Sequence, residues 1–186
     1  MATKHRCAWC EKDDLYRDYH DNEWGKPVYD DETIFEFLIL ETFQAGLSWY
    51  TVLAKRENFR KAFDNFDLLK VANYSEEKMA TLAEDTGIIR NKLKIKATVT
   101  NAQAFIKVQE EFGTFSKYIW GFVDGKPIDN KPKTLSEVKA TTPISDALSK
   151  DLKKRGFKFV GSTVVYAHMQ ATGMVNDHVM DCFTRK

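Results

Sequence analysis

The apolar residues of this chain recur mostly at the three- and four-residue spacing of an amphipathic helix, and they seldom alternate as in a strand. Thr33 and Glu36 have the spacing of a capping box, which predicts the start of a helix at Thr33. Glu41 falls on the same side of this helix as Phe37 and Leu38. The pattern therefore places one carboxylate towards the interior.

Helical patterns cover most of the remaining chain. Further helices are predicted over residues 48–63, 76–84, 90–111, 114–122, 142–155 and 162–172, with a short last helix capped by Asn176. Asp67 and Ser75 have the character of N-caps, and Gly156 and Gly173 the character of helix ends. Residues 123–143 hold three of the four prolines and predict a surface loop with a short helix near 134–139. The predicted fold class is all-α.

Composition narrows the class of protein. The chain has 186 residues, 43% of them hydrophobic and 30% charged, a balance typical of globular proteins rather than disordered or fibrous ones. No apolar run is long enough to cross a bilayer, and the first ten residues are polar. We expect a soluble, cytoplasmic protein without a membrane partner. The net charge of +1 does not by itself indicate a nucleic-acid partner.

Cysteine and histidine at the two ends of the chain form a possible metal site. His178 and Cys182 are four residues apart, which places them on one face if the segment is helical. With Cys7 and His20 they would supply two thiolates and two imidazoles, the ligand set of a closed zinc site. Cys10 is a rival ligand because it lies three residues after Cys7. The alternative is that the cysteines are simply buried and the histidines lie at the surface.

Aromatic residues are dense near the N-terminus. The rings concerned are Trp9, Tyr16, Tyr19, Trp24 and Trp49, and the acidic Glu41 belongs to the same part of the sequence. Aromatic faces attract cations and stack on nucleobases, and a carboxylate among them can accept hydrogen bonds from a cationic ligand. The alternative is that these rings belong to the core, which is the usual position of aromatic side chains.

A tight turn in the middle of the chain joins two predicted helices. The turn consists of Thr86, Gly87, Ile88 and Ile89, and the basic residues Arg90, Lys92, Lys94 and Lys96 follow it. Backbone amides at such a turn, together with a helix N-terminus, can bind phosphate. An ordinary helical hairpin with a solvated basic face fits equally well. A second basic run, formed by Lys150, Lys153, Lys154, Arg155 and Lys158, fits either phosphate binding or a solvated helix end.

Longer strings of residues carry a resemblance to a known family. They are the N-terminal Cys7 with Tyr19-His20-Asp-Asn-Glu-Trp24-Gly25, the string Glu41-Thr-Phe-Gln44-Ala-Gly-Leu-Ser-Trp49, the string Lys154-Arg-Gly-Phe-Lys-Phe-Val-Gly161, and the pair Met169-Gln170-Ala171 and Val175-Asn-Asp-His178. Together they resemble the 3-methyladenine DNA glycosylase I family nearly end to end. Thr42, Phe43 and Cys10 depart from the family pattern, and Phe43 can alter the wall of the pocket.

The resemblance implies a helix-hairpin-helix glycosylase fold in one unit, residues 1–186. It implies a central bundle over about 30–120 and a zinc-stapled subdomain from about 1–29 plus 121–186. The implied ligands of a structural zinc are Cys7, His20, His178 and Cys182. The implied catalytic residue is Glu41, with the base bound by Tyr19 and Trp49 and flanked by Trp9, Tyr16 and Trp24. Contacts to DNA are expected from Gly87, Ile88, Ile89, Arg90, Lys92 and Lys94.

The resemblance also implies an activity. A glycosylase of this family flips 3-methyladenine out of alkylated duplex DNA and hydrolyses its glycosidic bond, which releases the free base. Residues 111–116 contain no aspartate where related glycosylases carry a catalytic one, and no lysine aligns with the Schiff-base position of bifunctional relatives. We therefore expect a monomeric, monofunctional hydrolase. The alternatives are a module that binds alkylated DNA without cutting it and a zinc-stabilised interaction domain.

Overall fold

The computed structural model describes residues 4–185, so residues 1–3 and 186 of the predicted terminal subdomain lie outside the described chain. The fold is mostly helical. The helices are α1 (Asp14–Asn22), α2 (Asp31–Gln44), α3 (Trp49–Leu53), α4 (Arg56–Ala62), α5 (Leu68–Ala72), α6 (Glu76–Glu84), α7 (Lys92–Phe112), α8 (Phe115–Trp120), α9 (Pro143–Lys154) and α10 (Ser162–Ala171). Two short strands, β1 (Ile128–Asp129) and β2 (Val175–Asn176), pair in parallel.

Side-chain caps determine where many of these helices begin. The predicted caps at Asp67 and Ser75 are confirmed, since each side chain accepts a hydrogen bond from the amide three residues later. Thr142 and Ser145 form a reciprocal capping box at the start of α9, where Pro143 occupies the first turn. Asn91 caps α7 by accepting from two amides.

Several predicted boundaries are wrong. α2 begins at Asp31, because the Asp30 side chain accepts from the amide of Thr33 and caps the helix three residues earlier than predicted. The predicted helix over 48–63 is two helices, α3 and α4, separated at Ala54 and Lys55. α1 was absent from the prediction. The last helix predicted at Asn176 is a strand residue followed by turns, and the short helix near 134–139 is a 3-10 turn at Leu135–Glu137.

α2 lies at the centre of the core. From Ile34 to Phe43 its side chains are buried with the exception of Glu36, and the helix packs against α3, α7, α8 and α10. A helix that is apolar on nearly all sides is stable only when other helices surround it. Because α2 contacts helices from both halves of the chain, it holds Glu41 in the middle of the molecule. The division into two subdomains stays a prediction.

The two ends of the chain are joined along their length. The amide of Gly25 donates to Gln170 (3.1 Å), that of Val28 donates to Thr172 (3.0 Å), and that of Phe183 donates to His5 (2.9 Å). Gly173 has a φ of +69°, and a Cβ there would lie 2.3 Å from the carbonyl carbon of Lys26. Only glycine permits this close crossing. No helix within residues 4–185 is both long and apolar enough to cross a membrane.

Candidate functional site

A cavity of about 340 Å³ opens between the N-terminal helices, α10 and the segment around residues 135–140. All six residues that the sequence suggested for base recognition line it, namely Trp9, Tyr16, Tyr19, Trp24, Glu41 and Trp49. The volume is in the range of small-molecule sites. Residues that are distant in sequence are therefore brought to one wall.

Local structure explains how these side chains reach the cavity. Asp13 caps α1 by accepting from the amide of Tyr16, and its other oxygen accepts from the Tyr50 hydroxyl. α1 then places Tyr16 and Tyr19 three residues apart on one face. Ser48 caps α3, so that Trp49 is the first residue of its helix and meets the rings of α1.

Glu41 is a buried polar group of the cavity that lacks part of its hydrogen bonding. Its side chain is 2% exposed, and among residues 4–185 its Oε2 atom has no hydrogen-bond partner. Burial raises the pKa of this carboxyl well above its usual value. Within the described chain neither the Tyr16 nor the Tyr19 hydroxyl bonds to Oε2, although both tyrosines line the same cavity. An unpaired buried carboxyl is costly unless a ligand compensates it.

The aromatic rings form a tilted cage rather than a parallel stack. The centroids of Tyr19 and Trp49 are 5.4 Å apart at 43°, and Trp9 meets Tyr16 edge-on at 4.8 Å. The indole Nε1 of Trp49 is buried without a hydrogen-bond acceptor among the described residues. Burial and then the nearby Glu41 carboxylate raise the pKa of Tyr19, so its hydroxyl stays protonated. The cage thus combines apolar faces with one unpaired donor and one unpaired acceptor.

Part of the cavity wall was missed by sequence reasoning. The additional lining residues are Gln44, Leu135, Val138, Lys139, Ala140, Ala167, Gln170 and Asp177. The buried Asp177 carboxylate accepts from Asn130 (2.7 Å), Tyr166 (2.6 Å) and Gln170 (2.9 Å). Gln170 and Asp177 fall within the strings that resembled the family, which was the available signal. Phe43 packs against Phe59 in the core and is not among the lining residues, so its predicted effect on the wall is wrong.

A second cluster, formed by Cys7, His20, His178 and Cys182, lies behind this wall. The four side chains are buried, and one ligand atom from each lies within 4.8 Å of all the others. Cys182 Sγ is 3.5 Å from His20 Nε2 and 3.6 Å from His178 Nδ1, and Cys7 Sγ is also 3.6 Å from His178 Nδ1. Ligand atoms about 2.0–2.3 Å from a tetrahedral zinc ion would be separated by about 3.5 Å. The cluster can therefore hold a metal ion of this type.

The imidazoles are oriented as metal ligands usually are. His20 Nδ1 is 2.8 Å from Asp21, which is also bonded to Arg6, and His178 Nε2 is 3.1 Å from the carbonyl of Trp24. These acceptors leave the nitrogen that faces the cluster unprotonated. Burial would raise the pKa of Asp21, but the hydrogen bonds from Arg6 and His20 lower it below its usual value.

The buried thiol of Cys7 does not ionise easily without a nearby positive charge. Burial raises the pKa of Cys7 to about 12, with a smaller contribution from nearby Cys182, and burial lowers the pKa of His178 to about 4. A cation is what stabilises two neighbouring thiolates in such surroundings. Cys10 is buried, but its thiol donates to the carbonyl of Cys7 (3.1 Å) and it is not part of the cluster.

His178 and Cys182 do not lie on a helix as their spacing suggested. The chain after β2 makes a turn in which the amide of Cys182 donates to Val179 (2.9 Å), and this turn brings both side chains to the same point.

The cluster also supports the cavity. Trp24 meets His178 edge-on at 4.6 Å, and Trp9 meets His20 at 5.4 Å. Two rings of the cage therefore pack against the imidazoles of this cluster.

The turn between α6 and α7 is held tightly against α4. The amide of Gly87 donates to the Asp85 carboxylate (2.7 Å), and its carbonyl accepts from Asn58 (3.2 Å) and Lys55 (3.4 Å). The prediction that the Gly87 amide binds phosphate is wrong, since this donor is already used. Ile88 is buried, whereas Arg90 and Lys92 are exposed.

Lys94 is not available to DNA, and its predicted contact is wrong. Its side chain is 5% exposed, and its ammonium group donates to the carbonyls of Phe43 (2.8 Å) and Ala45 (2.5 Å). These carbonyls are at the C-terminal end of α2, where a cation is favourable. Lys94 thus joins the start of α7 to the helix that carries Glu41.

Comparisons with known proteins agree over nearly the whole chain. The family model for methyladenine glycosylase matches residues 9–185. The chain is 51% identical over 177 residues, 95% of each protein, to DNA-3-methyladenine glycosylase 1 of Escherichia coli (strain K12). A crystal structure of 3-methyladenine DNA glycosylase I (TAG) is similar with a TM-score of 0.93 and 50% identity, over 96% of this chain and 98% of that one. A tyrosine-to-phenylalanine variant of TAG in complex with 3-methyladenine gives a TM-score of 0.94 at 37% identity, over 97% of both chains. On the match of its sequence from residue 9 to residue 185, the chain belongs to the methyladenine glycosylase family.

Proposed function

We propose that this protein is a monofunctional DNA-3-methyladenine glycosylase, which flips the methylated base out of duplex DNA and hydrolyses its glycosidic bond to leave an abasic site. The observation that carries the proposal is the buried carboxyl of Glu41, whose Oε2 atom has no partner within the described chain and which lines a cavity walled by aromatic rings. The names of its relatives and the 3-methyladenine complex of TAG support the same activity.

Selectivity follows from charge. In DNA, 3-methyladenine is cationic, whereas undamaged adenine is neutral, so an ionised Glu41 would pair with the damaged base alone. Burial raises the pKa of the carboxyl and so disfavours its charged form in the free protein, and a cation brought beside it would favour proton loss. Tyr19 and Trp49 would contact the faces of the base, with Trp9, Tyr16 and Trp24 completing the cage.

Once the cationic base is bound, its release needs little further catalysis by the protein. The base leaves as a neutral molecule, so its bond to the sugar is weak before the protein acts and no strong acid is required. Undamaged adenine in the same cage would leave the Glu41 carboxyl without a compensating charge. Lys94 donates both to Phe43 and to Ala45, which argues against its use as a Schiff-base nucleophile and supports a hydrolase without lyase activity.

A structural zinc ion would be held by Cys7, His20, His178 and Cys182. All four positions of a tetrahedral ion would be filled by side chains, so such a site is closed to water. The zinc would neutralise the thiolates and fix the imidazoles on which Trp9 and Trp24 rest. Its contribution would be to stability and to the shape of the cage.

Binding of duplex DNA would use the α6–α7 turn as a helix-hairpin-helix element. The amide of Ile89 and the side chains of Arg90 and Lys92 remain as donors to phosphate, and neither side chain has an acidic partner within residues 4–185. These donors would contact the strand that carries the lesion. We further propose that the protein acts as a monomer.

Chromatography of bases released from methylated duplex DNA tests the proposal. We expect the wild-type protein to release 3-methyladenine, and Glu41→Gln to release it more slowly and to bind the free base less tightly, by about 2–5 kcal/mol at most. Glu32→Gln is the matched control, because Glu32 is exposed on the same helix. Binding of methylated duplex without release of any base would instead indicate a non-catalytic recognition module.

A further inference from the structure

An exposed apolar groove flanked by lysines lies beside the first turns of α7. Leu93 is 70% exposed and Phe159 is 37% exposed, and with Lys96 and Lys158 they line an open groove of about 410 Å³. Ala97 and Thr100 form its floor. Large apolar side chains at the surface, bordered by charges of one sign, are typical of binding sites.

The loop that carries Phe159 is held in a strained conformation. Phe159 has a φ of +57°, which non-glycine residues rarely adopt. The buried Asn101 accepts from the amide of Lys158 (2.8 Å) and donates to its carbonyl (3.1 Å), and Ser149 donates to the carbonyl of Val160 (2.6 Å). Strain that surrounding contacts maintain in this way is characteristic of functional positions.

A short series of neighbouring residues connects the groove to the wall of the base cavity. Leu93 directly precedes Lys94, whose ammonium group reaches the carbonyl of Ala45, and the neighbouring Gln44 lines the cavity. On its other side the groove adjoins the α6–α7 turn through the exposed Lys92. A strand whose base entered the cavity would therefore pass within reach of the groove.

The lysines around the groove are free to meet an anion. Within residues 4–185, Lys92, Lys96 and Lys158 make no salt bridge, whereas Arg56 pairs with Glu23 (2.6 Å) and Arg155 pairs with Glu111 (2.6 Å). A groove with lysines on both sides also opposes pairing with a second copy of itself, because the like charges would face each other.

We propose that this groove, formed by Leu93, Lys96, Lys158 and Phe159, binds one strand of duplex DNA beside the flipped nucleotide. The two lysines contact phosphates, and the two apolar side chains pack against the sugars between them. This proposal rests on the proposed function, since it extends the DNA contact of the same site.

Salt-dependent binding to an undamaged duplex tests the lysines. Lys96→Gln and Lys158→Gln should each weaken binding about fivefold to tenfold at 0.1 M salt and reduce the slope of log K against log salt by about 0.9. Lys107→Gln is the matched control, because Lys107 is exposed farther along α7. Equal slopes for all three variants and the wild type would overturn the proposal.

Phe159→Gly tests the apolar contact. Glycine adopts a positive φ freely, which offsets part of the packing lost with the ring, and the melting temperature of the variant shows that it is folded. We expect several-fold weaker duplex binding and unchanged affinity for free 3-methyladenine. Unchanged duplex binding by this variant, or a dimer in the wild type that the variant disrupts, would refute the proposal.

The two proposals fail in different ways. If the protein neither releases nor binds 3-methyladenine, the proposed function is wrong, whatever the salt slopes show. If it releases the base normally and the groove variants bind duplex as the wild type does, the function stands and the DNA path lies elsewhere.

Discussion

At the scale of single residues, two buried ionisable groups distinguish this protein. Glu41 lines the cavity and His168 lies in the core on α10, and in the described chain neither has its full set of hydrogen bonds. The pattern of α2 predicted the burial of Glu41, because the residue falls on an apolar side of the helix. The pattern did not predict that the carboxyl lacks a hydrogen-bond partner, because this depends on how the tyrosines of α1 approach α2.

Replacement of Glu41 should change how stability depends on pH. Burial raises the folded-state pKa of this carboxyl, so the folded protein keeps a proton that the unfolded chain loses above about pH 4.3. Wild-type stability should therefore fall as pH rises from that value towards the raised pKa, whereas Glu41→Gln lacks this dependence. We expect the free energy of unfolding of Glu41→Gln, relative to wild type, to increase by roughly 1 kcal/mol per pH unit in that window. Urea denaturation from pH 5 to 8 measures it, and parallel curves would contradict the prediction.

His168 should have the opposite dependence at lower pH. Burial lowers its pKa from 6.5 to about 3, so the folded protein holds the ring neutral while the unfolded chain binds a proton. The stability that wild type has above pH 6.5 should be lost progressively as pH falls towards 3. His168→Phe removes this titration, and its stability should decline less between pH 6 and 4 in the same urea measurements. An equal decline would show that the ring is protonated or hydrated in the core.

At the scale of helices, the sequence predicted elements whose ends carry local signals. α6, α9 and α10 agree with prediction, because a polar cap or a terminal glycine marks them. α1 has such a cap at Asp13, but it was missed because most of its residues are polar and its buried face includes His20 beside Tyr19. The break between α3 and α4 follows from contacts made elsewhere, since Lys55 reaches the carbonyls of Thr86 and Gly87.

The tie between α7 and α2 can be tested through Lys94. Lys94→Met retains the length of the side chain but leaves the carbonyls of Phe43 and Ala45 without their donor. We expect a loss of about 2–3 kcal/mol in the free energy of unfolding. The salt slope of duplex binding should not change, because this ammonium group faces the interior. Lys92→Met is the control. Its free energy of unfolding should equal that of the wild type, whereas the salt slope of its duplex binding should be smaller.

At the scale of the whole molecule, the site was only partly visible in the sequence. The six cavity residues and the four cluster residues could be named because long strings resembled a family, while spacing alone left alternatives such as Cys10. Asp177 and Lys139 were missed as cavity residues because they lie near a two-residue strand and in a loop, where no periodicity marks an inward side chain. Whether such residues line the cavity depends on how segments that are distant in sequence pack against each other.

The cluster of cysteines and histidines predicts the zinc content and the melting temperature of the protein. Protein purified without chelators should contain one zinc ion per chain, and Cys182→Ser should lose it together with several degrees of melting temperature. Affinity for 3-methyladenine should also fall, because Trp9 packs against the imidazole of His20 and Trp24 against that of His178. Cys10→Ser is the matched control and should retain zinc. Elemental analysis that finds zinc lost from Cys10→Ser but kept in Cys182→Ser would reverse the ligand assignment.

The junction between the two ends of the chain also has a consequence for the order of events during synthesis. α1 and its tyrosines leave the ribosome well before the partners of Gly25, Val28 and His5, because those partners lie far along the chain. The segment from α2 to α8 can pack first, because α2 contacts α3, α7 and α8 within the same segment. The nascent protein therefore carries an open aromatic wall until α10 and the residues after it have been translated, and the base cavity closes only when they pack against α1.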